Sequence, residues 1–218
     1  MNSRSRSLGV FSWRSWRLGG SLLLALAVIN TGCSVGLTRP APVKRYYMLE
    51  APAQRSTEPA LHAAALKVTG FEVAPPFQDR ALVFRLDEQR CESDFYNEFF
   101  VAPRAMVTAR LTEWLSARGL FSAVLPVSST LDAPYALEGV VNEMYGDLRE
   151  GAAAVFTMQV FMTQASSPTR RIVHERMYTH RLYLQDRSAE SLAKGLSQAF
   201  QQCLADLERD LRALQLAQ

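Results

Sequence analysis

Alternation of apolar and polar residues is cleanest between Ala154 and Gln164. Phe156, Met158, Val160 and Met162 fall on one side of an extended chain, and Thr157, Gln159 and Thr163 on the other. A strand with one dry and one wetter face belongs in an antiparallel sheet. Ser166-Ser167-Pro168 turns the chain, and Arg171 to Leu184 returns as its partner, with His174, Glu175, Arg176, His180 and Arg181 marking an exposed face or edge. Upstream, strands are expected at Tyr46–Leu49, Leu66–Val73, Ala81–Leu86, Leu120–Leu125 and Tyr135–Tyr145, with Gly70 placed to bend the second. Asp94 to Phe100 reads as a further strand or as an aromatic approach to a helix.

Two segments change period from two to 3.6. In the first, Val107, Leu111, Trp114 and Leu115 form one face, Pro103 suits the first turn, and Gly119 suits a left-handed stop. In the second, Ser188 to Leu214, a narrow stripe runs through Leu192, Leu196, Phe200, Cys203, Leu207, Leu211 and Leu214. Ser188 or Asp186 is placed to cap it. Both helices are one-sided, so both are expected on the dry face of the sheet. The expectation is a single α+β domain, a mainly antiparallel sheet with two helices on one face.

The N-terminal segment is of another kind. Arg4, Arg6, Arg14 and Arg17 precede the apolar run Ser21–Ile29, then come Thr31-Gly32 and Cys33. A basic start, a short apolar stretch and small residues make a secretory signal peptide. Small residues directly before a cysteine resemble the lipobox of bacterial lipoproteins, in which the cysteine becomes the lipidated N-terminus. The alternative is an uncleaved signal anchor. The expected organisation is a signal peptide over 1–32, a lipidated N-terminus and tether over 33–45, and one folded domain over 46–214. Without the four signal arginines, 20 of the 24 Lys and Arg residues face 21 Asp and Glu. No basic patch remains to suggest nucleic acid.

Candidate chemistry is sparse. His174 and His180, on one strand face, stand about 20 Å apart, too far to share a metal, so no metal site is expected. There is no Gly-x-Ser-x-Gly elbow and no phosphate loop. Asp132, Glu138, Glu143 and Asp147 read as solvated carboxylates rather than a catalytic pair. The expectation is a protein that is not an enzyme and takes no cofactor beyond a covalent lipid on Cys33. Export places Cys91 and Cys203 where a disulfide persists, although Cys203 on a helical stripe also suits a buried thiol. Phe95, Tyr96, Phe99 and Phe100 form either core and strand-edge packing or an apolar patch for a partner or lipid. Tyr46 and Tyr47, beside the tether, are the candidate partner-binding residues.

The ordered set of segments resembles the ABC-type transport auxiliary lipoproteins, the family of paraquat-inducible protein C-like lipoproteins. The residues that carry the resemblance are the lipobox and tether, Tyr46-Tyr47-Met48-Leu49, Ala81–Arg85, Phe95-Tyr96-Asn97-Glu98-Phe99, the helix ending Ser116–Phe121, and the Asp186-Arg187-Ser188 helix start. The resemblance implies a non-catalytic lipoprotein on the periplasmic face of the outer membrane. Its implied partners are a permease, an ATPase and a protein with a mammalian-cell-entry domain, which together move lipid between the two membranes; it also admits a homo-oligomer. Ser34 after the cysteine is compatible with outer-membrane sorting. The rival reading is a structural lipoprotein that assists or plugs an outer-membrane β-barrel.

Overall fold

The computed structural model describes residues 43–166 and 169–216; Cys33 and the signal segment lie outside them. Ten elements follow in order: β1 (Arg45–Tyr47), β2 (Leu66–Val73), β3 (Ala81–Arg85), β4 (Cys91–Phe99), α1 (Pro103–Arg118), β5 (Val124–Leu125), β6 (Tyr135–Asp147), β7 (Ala153–Ser166), β8 (Thr169–Tyr183) and α2 (Ala189–Ala213).

The eight strands form one mixed open sheet organised around β6. One edge of β6 pairs antiparallel with β7 along its whole length, and β7 pairs with β8 in the same way. The other edge of β6 is shared. β2 runs parallel to it from Tyr135 to Val141, and β3 meets it only at Gly146 and Asp147. From β3 the sheet continues through antiparallel β4 to parallel β1, and from β2 to the short β5. The long hairpin β6–β7–β8 makes the sheet mainly antiparallel by paired length.

Phe156, Met158, Val160 and Met162 are fully buried against α2, which places both helices over the dry face in one continuous core with β2 and β6. Gly119 ends α1 at φ +63°, the left-handed stop expected of it. Gly70, at φ +122°, sits where the β2–β6 register shifts, so the bend in β2 is a bulge. Ser188 caps α2 through its hydroxyl to the Ser191 N–H (3.1 Å), while Asp186 accepts from the Ser188 N–H (2.8 Å). The two capping candidates thus act in series.

Two expectations need correction. Leu120 and Phe121 are buried without being part of β5, because the chain leaving Gly119 first pairs with the Leu61–His62 segment. Of the two readings open for Asp94 to Phe100, the strand is the one formed, over Cys91–Phe99, since β4 has both β3 and β1 to pair with. The last residues assigned to the tether belong to the domain: Arg45 is in β1 and Lys44 pairs with Glu98.

Ala51 to Ala60, interrupted by Pro52 and Pro59, is a strap over the helices. The Glu50 N–H donates to Ser197 Oγ on α2, Gln201 Nε2 donates to the Pro52 carbonyl, and the Ser56 N–H donates to the Ala117 carbonyl on α1. Beneath it Glu208 of α2 is buried and accepts from Trp114 Nε1 (3.2 Å) and Arg118 Nε (2.7 Å) of α1 and from Arg212. Burial alone would raise the Glu208 pKa, but the two guanidiniums outweigh it and hold the carboxylate ionised.

Candidate functional site

The edge formed by β1 and β4 gathers the aromatic residues that the sequence left undivided. Strand geometry sends neighbours to opposite faces. Phe99, paired with Tyr47, faces the core and is buried. Tyr47 is half-buried beside it, and its hydroxyl donates to Asn97 Oδ1 (3.1 Å). Tyr46 and Phe100 point the other way, 49% and 63% exposed, with their rings edge to face at 6.0 Å. Phe95 and Tyr96 are exposed too, again edge to face, with centroids 5.1 Å apart.

Glu98 organises the outer face. It is buried between the ammonium of Lys44, which bonds its Oε1, and the Arg80 guanidinium at 3.4 Å from Oε2. Among the described residues Oε2 has no hydrogen-bond partner. Lys44 also lies 4.6 Å above the Phe95 ring, a cation–π contact. The residue at which the chain departs toward Cys33 is therefore pinned to the aromatic edge. On its outer side β1 has no strand neighbour among the described residues, so its backbone groups there are open to strand addition.

The other candidates separate. Cys91 is exposed at the start of β4 and Cys203 is buried under α2; both are free thiols, so the disulfide that the sequence admitted is not formed. Burial pushes the Cys203 thiol up to about 12, which makes it unreactive. His180 Nε2 bonds Asp206 (2.8 Å), and His174 Nε2 bonds the hydroxyl of Tyr178 (2.9 Å), which itself donates to Asp210 (2.7 Å). His180 thus fastens β8 to α2 directly, while His174 stays within β8 and buttresses Tyr178, which makes the bond to α2.

Asp132 and Glu138 are exposed, and Glu143 accepts from Thr157 Oγ1 (2.7 Å). Asp147 is a correction: read as solvated, it is fully buried between Arg149 and Arg181. The four carboxylates do not converge. A cleft of about 620 Å³ beside the strap is lined by Trp114, Arg118, Gln201, Glu208 and Arg212. Its Arg118 and Arg212 are both engaged by Glu208.

No family model and no curated protein matches the chain. Solved structures do share the fold. A Xanthomonas campestris protein described by the family model DUF330 superposes with a TM-score of 0.66 at 15% identity, over 75% of this chain and 92% of the other. A second, uncharacterized protein gives a TM-score of 0.60 at 17% identity, over 78% of this chain and 99% of the other. The class defined by these likenesses is an α+β domain with an open mixed sheet and two helices. At such identities they speak to the fold alone.

Proposed function

We propose that the chain is a non-catalytic, lipid-anchored subunit of an ABC and mammalian-cell-entry-type intermembrane lipid transport system, held on the periplasmic face of the outer membrane through Cys33. The family resemblance supplies the system and its partners. The observation that carries the docking role is the β1 edge, which has no strand neighbour among the described residues and carries the exposed Tyr46 ring where the tether meets the domain. An extended segment of the mammalian-cell-entry partner adds to β1, with Tyr46 and Phe100 as aromatic anchors and Tyr47 holding β1 to β4 from beneath.

Two measurements test this reading. Cys33→Ser should abolish metabolic labelling by a fatty-acid probe, and labelling equal to wild type would remove the anchor. Tyr46→Ala should weaken co-purification of transporter components from solubilised membranes while the domain still melts cooperatively at the wild-type temperature. Tyr47→Ala should instead lower the melting temperature, since it loses a half-buried ring and the bond to Asn97. A correctly lipidated wild-type chain that brings down no transporter component refutes the assignment.

A further inference from the structure

β3 and β4 pair Ala81 with Glu98 and Val83 with Ser93. Between those pairs β3 has only Leu82, whereas β4 has Asp94, Phe95, Tyr96 and Asn97. The excess chain forms a large bulge. It is braced from within: Asp94 Oδ1 accepts from the Tyr96 N–H (2.9 Å) and the Asn97 N–H (3.1 Å), and Asp94 Oδ2 accepts from Asn97 Nδ2 (2.8 Å). Asn97 in turn accepts from the Tyr47 hydroxyl, which ties the bulge to β1. A bulge re-aims the side chains it carries. This one carries Phe95, 69% exposed, and Tyr96, 42% exposed. Leaving such rings in water forfeits about 25 cal/mol for each Å² of apolar surface that burial would have recovered. Val43, 80% exposed, and Lys44 over the Phe95 ring adjoin the same tip.

We propose that this tip, Phe95 and Tyr96 with Val43 and Lys44, is a membrane contact that enters the headgroup region of the phospholipid leaflet holding the Cys33 lipid. The inference rests on the lipidation of Cys33 and is independent of which protein docks on β1. Nine residues lie between Cys33 and Val43, which limits the tip to within about 35 Å of the anchoring cysteine. Tyr46 and Phe100 lie farther along the same two strands, away from the tether, and so stay clear for a protein partner.

The side chains suit that depth. Aromatic rings favour the membrane–water interface, and a lysine buries its stem while its ammonium stays among the headgroups. Charges around the tip are mixed, with Lys44, Arg45 and Arg90 against Glu92 and Asp94. The contact is therefore apolar in character and requires no anionic lipid. Lipid chains and an inserted aromatic tip together fix the orientation of the domain, which a single flexible tether cannot do.

The test uses the processed, lipidated protein reconstituted into phosphatidylcholine–phosphatidylethanolamine vesicles that contain acyl-brominated lipid. Phe95→Trp places a reporter at the tip, and Tyr183→Trp places one on an exposed residue at the end of β8. Emission is read as the difference from the wild-type chain, which subtracts Trp114. Trp at position 95 is expected to shift to the blue and to be quenched by the brominated lipid, and Trp at position 183 to do neither. A fatty-acid-labelled chain whose reporter at position 95 matches the one at 183 overturns the proposal. A chain without fatty-acid label refutes lipidation instead. A reporter at position 95 that is shielded only when a mammalian-cell-entry partner is added in detergent assigns the tip to a protein interface and equally overturns the membrane contact.

Discussion

Asp147→Ala should cost about 3 kcal/mol of folding stability, at the lower end of what removing one partner of a buried ion pair costs. The carboxylate is fully buried at the end of β6. Its Oδ1 accepts from the Arg149 backbone N–H (3.1 Å) and Nε (3.0 Å), and its Oδ2 from Arg149 Nη2 (2.8 Å) and Arg181 Nη1 (2.5 Å). Arg149 reaches on to Glu88 in the β3–β4 turn (2.8 Å). One carboxylate therefore joins β6, β8 and the β3–β4 turn, and its loss takes the buried carboxylate from Arg181 and leaves Arg149 with Glu88.

The bond from Arg149, helped by Arg181 and opposed by burial, holds the Asp147 carboxyl well below the usual carboxylate range. A depressed folded pKa contributes stability that is complete above the unfolded value of about 4 and is lost as pH falls through the folded value. Wild type should therefore lose stability below about pH 4 more steeply than Asp147→Asn, which has no proton to take up at that position. Urea unfolding at pH 7 and in the acid range measures both effects. A loss below about 1 kcal/mol for Asp147→Ala would mean that the pair is screened like a surface salt bridge.

Leu207→Ala should cost 2–5 kcal/mol, the usual range for truncating a buried leucine. Leu207 is fully buried mid-helix on the face of α2 that meets the sheet. Arg209, two residues on, pairs with Asp206 from a largely exposed position, and exposed pairs contribute little. The thermal midpoint should fall markedly for Leu207→Ala and hardly move for Arg209→Ala. Equal small shifts would show that α2 adapts around the cavity.

Legibility of this chain followed the distance over which each feature is decided. Local period and local stereochemistry specified β2 to the residue, both helices to within a residue or two and the left-handed stop at Gly119, and narrowed the cap of α2 to Ser188 or Asp186. Those depend on neighbours within a turn or a strand, all present in the string. The division of the aromatic cluster was only half legible. Alternation along β4 separates Phe99 from Phe100, but which of them is dry depends on the side covered by α1 and α2. The outward aim of Phe95 and Tyr96 depends on a four-against-one bulge that exists only once β3 is paired. Burial of Cys203 was legible from its place on the apolar stripe of α2, but whether Cys91 comes within reach of it depends on where β4 lies in the finished sheet.

The sequence by itself determined the α+β class, the element order and the apolar faces, because alternation and helical spacing record which side of each element must leave water. Tertiary structure alone decided the fate of the charges. Asp147 meets Arg181 across 34 residues and Glu208 meets Arg118 across 90, and a carboxylate is read as solvated until the guanidinium that permits its burial is brought beside it. The open edge at β1 was decided in the same way. Whether a strand keeps unpaired backbone is a property of the finished sheet, and here the chain that pairs with β4 at Asn97–Phe99 is the three-residue strand that emerges from the tether.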